Sequence, residues 1–370
     1  MYKKILVAFL FHFMISFSYA QEGMGYYYDY NGHFYVFDKG NTIQLESAHV
    51  DSIRAGIDYI AYMDYRGYLK VYYNGETQTI EENLPNAMYA TPYALVYKMA
   101  QRLMIFEHGE KKQLARAVYA FQAEEYIVIW VDNPSVYIMA HENGQTSTIE
   151  TSVSDNVINS GKTGNNIFAY SDLSNTFKVY YGGQIYETGS SNITDYKCGK
   201  NIVAYIDGFN NTFNVFYNNK VKTISDHIPK SYSVAANMVS YVDNDDNFTL
   251  YYNGTIMPLE SWVPKAQNSK GNVIEYFNDT DLKIIYGGKI YEADKFIPNP
   301  KVMLGPNSVL FMDSNRKPKY FYKGKLASDF MNEQVTDMNL IWDLPVFRYG
   351  TNTIGFYYNG KLYDYETSKY

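Results

Sequence analysis

The amino-acid sequence predicts an all-β protein assembled from about ten copies of one short unit. Three observations support this fold class. A two-residue turn recurs every 34 to 39 residues, an aromatic residue recurs 12 to 14 positions before it, and the intervening segments alternate as half-buried strands do. Strand-favouring aromatics are abundant, with 41 Tyr and 21 Phe in 370 residues.

The recurring turn carries a residue that tolerates positive φ at its second position. A two-residue hairpin of type I′ requires positive φ, which Gly and Asn adopt at little cost. The pattern therefore predicts ten hairpins of one kind. Their second residues are Gly40, Gly75, Gly109, Gly144, Gly183, Asn219, Gly254, Gly288, Gly324 and Gly360.

A column of ten aromatic residues precedes these turns, and we expect it to be buried between neighbouring sheets. Its members are Tyr27, Tyr62, Tyr97, Trp130, Tyr170, Tyr205, Tyr241, Tyr276, Phe311 and Phe347.

Two residues after each aromatic lies a mainly acidic column. An Asp that ends a strand accepts backbone N–H bonds from the following turn. Because Met99 and Tyr349 replace the acid in two units, we expect a turn role and not a shared ring of metal ligands. The column reads Asp29, Asp64, Met99, Asp132, Asp172, Asp207, Asp243, Asn278, Asp313 and Tyr349.

Each unit reads as three strands preceded by a fourth short strand, such as residues 194–198. Four short strands in a radially repeatable unit predict the blade of a β-propeller. The pattern resembles the TolB-like and WD-type propeller families, in which a strand often ends in Asp before a hairpin. The resemblance covers residues 24 to 366 and implies architecture only. One ring, two smaller rings and an open β-solenoid remain alternatives, and the first unit lacks its innermost strand unless residues near Gln21 to Met24 supply it.

The first twenty residues have the features of a secretory signal peptide. Lys3 and Lys4 precede an apolar run, and Ser18 and Ala20 place small residues at the −3 and −1 positions of a cleavage site. The interpretation is a signal peptide over residues 1–20, cleaved after Ala20, followed by a propeller domain over residues 21–370 in the periplasm, at the cell surface or outside the cell.

The charge balance argues against two classes of partner. The formal net charge is −7, and removal of residues 1–20 removes two lysines and no acids. An acidic chain without a basic stripe is unsuited to nucleic acid or to an anionic membrane. No later segment resembles a membrane span.

No catalytic, cofactor-binding or metal-ligating constellation emerges, so the sequence predicts none. Cys198 occupies a small or apolar strand position, which favours a structural role over a reactive thiol. Segment 243–247 alternates oxygen ligands like a calcium loop but lacks the Gly and Glu at the positions such a loop requires. The histidines lack metal-ligand spacing, and those near tight turns are expected to face solvent. They are His33, His49, His108, His141 and His227.

The favoured function is that of a non-enzymatic binding or scaffold protein that presents a face of loops to an unidentified protein, peptide or glycan. The alternative is a carbohydrate-active enzyme or glycan-binding protein of the cell envelope, in which two carboxylates form a hydrolytic pair. A purely structural envelope component is a third possibility, and the oligomeric state stays open. Candidates for the hydrolytic pair are Glu142, Glu150, Glu260 and Glu275.

Overall fold

The computed structural model describes residues 21–151, 153–154, 156–297 and 301–367. In this part of the chain the strands form ten antiparallel sheets, of which nine have four strands and the first has three. Each sheet is built from consecutive strands, so the sheets are the repeat units themselves. The predicted all-β propeller of about ten four-stranded blades is confirmed. The predicted signal peptide, residues 1–20, lies outside the described residues.

The strands of the first five blades follow the predicted repeats. Blades 1 and 2 contain β1 (Gly25–Tyr28), β2 (Phe34–Asp38), β3 (Asn41–Glu46), β4 (Asp51–Ala55), β5 (Tyr59–Met63), β6 (Leu69–Tyr73) and β7 (Glu76–Glu81). Blades 3 and 4 contain β8 (Ala87–Ala90), β9 (Ala94–Met99), β10 (Arg102–Glu107), β11 (Glu110–Ala115), β12 (Val118–Ala123), β13 (Ile127–Asp132), β14 (Ile138–Glu142) and β15 (Gln145–Glu150). Blade 5 contains β16 (Lys162–Gly164), β17 (Ile167–Ser171), β18 (Phe177–Tyr181) and β19 (Gln184–Glu187). The short helix α1 (Val157–Ser160) occupies the longest repeat spacing and contacts β12, β13 and β17.

The remaining five blades each have four strands. Blades 6 and 7 contain β20 (Ile193–Gly199), β21 (Ile202–Asp207), β22 (Thr212–Tyr217), β23 (Lys220–Ser225), β24 (Ser231–Ala235), β25 (Met238–Val242), β26 (Phe248–Tyr252) and β27 (Thr255–Glu260). Blades 8 and 9 contain β28 (Ala266–Lys270), β29 (Val273–Asn278), β30 (Asp281–Tyr286), β31 (Lys289–Asp294), β32 (Val302–Leu304), β33 (Ser308–Met312), β34 (Pro318–Tyr322) and β35 (Lys325–Ala327). Blade 10 contains β36 (Val335–Ile341), β37 (Leu344–Tyr349), β38 (Thr353–Tyr358) and β39 (Lys361–Glu366).

The blades close into a single ring. Ten apolar clusters fill the ten spaces between successive blades, and one of them joins blade 10 to blade 1. At this last junction the Phe37 and Phe356 rings stack 4.7 Å apart. First strands of successive blades, such as β20 and β24, contact each other and surround the axis. Of the alternatives that the sequence left open, one ring of ten blades is the observed one.

Within the described residues blade 1 has no innermost strand, and residues 21–24 form no strand but contact blade 10. The Gln21 side-chain amide donates hydrogen bonds of 2.8 Å to the carbonyl oxygens of Asp343 and Tyr357 in blade 10. The Asn359 amide donates to Gln21 Oε1 at 3.1 Å. Side-chain packing and these bonds therefore close the ring, without a strand shared between the first and last blades.

Alternating strand directions give the ring two distinct faces. The tight-turn face carries the turns from first to second strand and from third to fourth strand. The crossover face carries the turns from second to third strand and the connections to the next blade. The predicted type I′ turns are confirmed, since both central residues have positive φ, as at Asn74 (49°) and Gly75 (87°).

The ten aromatic residues of the predicted column are buried, each at most 6% exposed. Five of the seven tyrosines among them also donate a hydrogen bond to the preceding blade. The Tyr62 hydroxyl donates to Glu46 Oε1 (3.0 Å), to which the Lys70 ammonium donates at 2.7 Å while also pairing with Asp64. Glutamates on outer strands thus link adjacent blades through the buried tyrosines of the column. The same contact joins Tyr97 to Glu81, Tyr170 to Glu150 and Tyr276 to Glu260.

The acidic column serves the turns of the crossover face, as the sequence indicates. Asp64 Oδ1 accepts the backbone N–H groups of Arg66 (2.9 Å) and Tyr68 (3.0 Å). Asp243 accepts the equivalent bonds from Asp245 and Asn247, so the calcium-like segment has the same geometry as the other turns. Carboxylate oxygens thereby satisfy turn donors within the blade.

Candidate functional site

A row of amide side chains marks the regular part of the tight-turn face. The residue before the second strand of blades 5 to 10 is Asn or Asp, and four of the five neighbouring pairs are hydrogen-bonded to each other, for example Asn166 Nδ2 to Asn201 Oδ1 at 2.6 Å. These bonds connect successive blades around the axis. The row consists of Asn166, Asn201, Asn237, Asn272, Asn307 and Asp343.

This row does not continue into blades 3 and 4, where Tyr93 and Tyr126 stand at the equivalent positions. Their ring centroids lie 6.2 Å apart with a tilt of 30°. A pocket of about 260 Å³ opens beside them, between the two blades. Its floor includes Ile105 and Ile127, and its rim is formed by turns of the tight-turn face. The repeat is therefore interrupted at the place where a cavity appears.

Two further repeat positions change at the same pocket. Position 107 is Glu where seven other blades have Tyr, and position 141 is His where the other nine have an aromatic residue or Ile. His141 Nε2 lies 3.0 Å from Glu107 Oε1, and its Nδ1 lies 3.0 Å from Thr146 Oγ1. The His141 and Glu107 side chains are 6% and 9% exposed. The expectation that His141 faces solvent is wrong, because it precedes the turn on β14 and points into the space between blades.

The pocket is lined by three carboxyl groups, which belong to Glu107, Glu124 and Glu125. Burial and the neighbouring Glu125 carboxylate raise the pKa of Glu124 to about 7, against the opposing effect of the Lys270 ammonium. Burial, and then repulsion by surrounding carboxylates with Glu22 the foremost, raises the pKa of Tyr93 to about 12. Both shifts show that the protein disfavours additional negative charge here.

Other candidate residues from the sequence lie apart from this pocket. His33 pairs with Asp29 at 3.0 Å, and His49 stacks on Tyr28, whereas His108 and His227 are exposed. His108 nevertheless contributes to the pocket rim. Among the described residues, no group of three or more His, Cys, Asp or Glu side chains could hold a metal ion.

The four glutamates considered for a hydrolytic pair have different partners. Glu150 and Glu260 belong to the inter-blade contacts described above, and Glu142 accepts a hydrogen bond from the Tyr180 hydroxyl. Glu275 is buried and accepts a 2.5 Å bond from Asn268 Nδ2. None of the four lines the pocket between blades 3 and 4, where the acidic side chains are Glu107, Glu124 and Glu125.

Cys198 lies on β20 beside the axis, where it packs against the cluster between blades 5 and 6. Its Sγ is 3.3 Å from the Lys162 carbonyl oxygen, and burial raises the pKa of its thiol to about 12. The Cys198 side chain is partly accessible to solvent and packs against the apolar cluster on its other side. The raised pKa fits the structural role indicated by the sequence.

A protein-family model described as a 10-bladed beta propeller domain matches residues 18–363. The chain belongs to this family. Membership in the ten-bladed propeller family agrees with the ten sheets and the single ring seen in the structure. In the described part of the chain, no helix has the length and apolar character needed to cross a membrane.

Several solved structures are similar to this ten-bladed propeller. The computationally designed Ika8 protein is 15% identical, with 76% of this chain and 96% of that chain covered and a TM-score of 0.34. PorZ, a surface component of the type-IX secretion system of Porphyromonas gingivalis, is 10% identical over 76% of this chain and 45% of its own, with a TM-score of 0.33. BamB from Moraxella catarrhalis is 11% identical over 73% and 96%, with a TM-score of 0.31. At these identities and TM-scores the similarity carries no conclusion about function. No curated protein matches the chain.

Proposed function

We propose that the protein is an exported, non-enzymatic binding protein that takes a protein, peptide or glycan ligand at the pocket between blades 3 and 4. The observation that carries this proposal is the simultaneous change of four repeat positions around one cavity. The four residues are Tyr93, Glu107, Tyr126 and His141.

The physical reason concerns the contribution of these side chains to the stability of the fold. A buried ion pair is often no more stabilising than well-packed apolar side chains of similar volume, and the other blades have an apolar or aromatic side chain at the position of His141. At the junction between blades 3 and 4 the side chains depart from the packing of the other blades, and this departure does not increase the burial of apolar surface. Departures of this kind are expected at functional sites.

Export is supported by the composition of residues 1–20, with the apolar run after Lys4 and the small residues Ser18 and Ala20. N-terminal sequencing of the protein recovered from its producing cell tests this part. We expect the mature chain to begin at Gln21. A mature protein that still begins at Met1 would overturn the proposed compartment.

The binding role is tested with the mature chain as bait for the envelope fraction of the producing cell, and in parallel on a glycan array. The pocket variant is Glu107→Tyr/His141→Phe, which restores side chains found at these positions in other blades. We expect it to fold and to lose the captured ligand. Tyr217→Phe, at the repeat position of Glu107 in blade 6, serves as the matched control and should retain binding. Equal capture by the pocket variant would refute the placement of the site.

A carbohydrate-active enzyme is the second candidate, because the pocket contains carboxyl groups and Glu124 has a pKa of about 7. A carboxyl group with such a pKa can act as a general acid at neutral pH. Release of reducing sugar from an array-positive glycan, abolished by Glu124→Gln, would support this candidate. Binding without turnover would support the non-enzymatic role.

A further inference from the structure

The pocket between blades 3 and 4 contains an acidic group that has no partner of its own. The influences on the pKa of Glu124 are burial, Glu125 and Lys270, and no hydrogen bond is among them. By contrast, Glu107 is held by His141 at 3.0 Å, and Glu125 accepts a hydrogen bond from Asn165 Nδ2. The Glu124 carboxyl lines the cavity and accepts no hydrogen bond from the groups that set its pKa, so a ligand in the cavity can donate one to it.

No lysine or arginine is among the residues that line the pocket. The carboxylates around it include Glu22 and Asp58, both of which act on the pKa of Tyr93. Three lysines approach the pocket from outside its lining, and they are Lys112, Lys200 and Lys270. The carboxylates at and around the pocket outnumber these lysines, so the balance of charge favours a ligand with positive charge over a phosphate or a carboxylate.

The aromatic residues of the pocket also favour a positively charged ligand. Tyr93 and Tyr126 both line the pocket, and the faces of aromatic rings attract ammonium groups. The protein itself provides an example, because the Lys200 ammonium from blade 6 lies 4.2 Å from the centroid of the Tyr126 ring. This lysine reaches across blade 5 to make the contact. An ammonium group is thus already a stable neighbour of one pocket wall.

The volume limits the size of the bound group. A cavity of about 260 Å³ is smaller than the ~300–1,000 Å³ typical of pockets that enclose drug-sized ligands. It suits one extended side chain or one small amine, whose apolar stem would contact Ile105, Ile127 and Val128.

We propose that this pocket binds a primary ammonium group on a short alkyl stem, presented by a lysine side chain of a peptide or by a free alkylamine. The Glu124 carboxylate is its counter-ion, and Tyr93 and Tyr126 form the aromatic wall beside it. The inference rests on the proposed binding role of the pocket and names the chemistry of its ligand.

The test is calorimetric titration of the mature protein with three probes. N-acetyl-lysine amide and n-butylamine represent the two sources of the ammonium group, and N-acetyl-norleucine amide has a comparable stem without the charge. We expect one or both amines to bind and the norleucine compound to bind at least tenfold more weakly. Preference for the lysine compound over butylamine identifies a peptide ligand, and the reverse identifies a free amine.

Two variants test whether the Glu124 carboxylate binds the ammonium group. Glu124→Gln keeps the size of the side chain and removes its charge, and we expect about a tenfold loss of amine affinity. Glu142→Gln, at the repeat position of Glu107 in blade 4 but outside the pocket, should leave the affinity unchanged. Thermal melting of each variant verifies the fold. Equal binding of the norleucine compound, or unchanged affinity in Glu124→Gln, would overturn the inference.

The inference and the proposed function can fail separately. An envelope ligand that depends on the pocket but is displaced by no amine would refute the ammonium chemistry and retain the binding role. Conversely, amine binding that Glu124→Gln weakens, with envelope capture unaffected by Glu107→Tyr/His141→Phe, would retain the chemistry and place the main ligand elsewhere.

Discussion

Substitution of His141 by Phe tests the energetics of the buried pair at the pocket. Phe is found at the equivalent position in several other blades, such as Phe216 in blade 6, so it suits the local packing. The cost arises from Glu107, whose side chain is 9% exposed and loses its partner at 3.0 Å. Removal of one member of a buried pair typically costs about 3–5 kcal/mol. We expect about 3 kcal/mol, since the Lys112 ammonium remains 3.5 Å from Glu107.

Addition of Glu107→Tyr to this variant should recover most of the loss. Tyr stands at this repeat position in seven other blades, and replacement of both members of a buried pair by packed side chains is often neutral or stabilising. Thr146, which contacts His141 Nδ1, is exposed and can bond to water instead. The double variant should therefore be at least about 2 kcal/mol more stable than His141→Phe alone.

Urea denaturation of the parent, the two single variants and the double variant measures this cycle. Phe216→His, the reverse change in blade 6, is the control, and it should destabilise the protein because the new imidazole meets no acid. Strictly additive losses in the double variant would show that His141 and Glu107 are not energetically coupled, and the reasoning from a buried pair would fail.

Four further predictions concern the ring. Tyr205→Ala should lower the free energy of unfolding by about 3–5 kcal/mol, because the side chain is fully buried, and an unchanged melting temperature would contradict this. Asp207→Ala and Asp64→Ala should each cost about 1–3 kcal/mol, additively, and denaturation curves of the parent should not respond to chelator. The raised pKa of Glu124 means that the folded state retains a proton between pH 4.5 and 7, so its contribution to stability declines as pH rises through that range; the stability difference between Glu124→Gln and the parent should grow there in favour of the variant. Cys198 should resist alkylation at pH 8 in the native protein and react in urea, in line with a thiol pKa of about 12.

The sequence was sufficient to predict the repeat and the propeller blade, but not the choice between one ring and two, because the repeat is set by local chemistry and ring closure is not. A type I′ turn requires positive φ at fixed places, and an aromatic residue between two sheets has few substitutes, so both leave a readable period. The Asp turns follow equally from short-range hydrogen bonds. The three-stranded first sheet of the described residues also agrees with the sequence, in which the first repeated strand begins soon after Gln21.

The sequence analysis did not predict the pocket, because the repeats are aligned by the residues that the units share and the pocket is formed by residues that differ. His141 was visible as a departure from a position that is aromatic or Ile in the other nine blades, and Glu107 as a departure from one that is Tyr in seven. That signal could have been used. Other parts of the site had no signal in the sequence. Lys200 reaches Tyr126 across an intervening blade, and Glu124 lacks a partner only because of how the turns converge near the axis.

The seam between blades 10 and 1 determines the order in which the ring can assemble. Most junctions join segments about 35 residues apart, as between Tyr59 and Ala94, whereas Gln21 and Asp343 are separated by 322 residues. Because the entropy lost on loop closure grows with the logarithm of loop length, the seam costs about 2 kcal/mol more chain entropy than any other junction. Blades therefore add to one another as an open arc, and the stacked Phe37 and Phe356 rings meet last. Under thermal or mechanical stress we expect the contacts of this seam to separate before those of the other junctions.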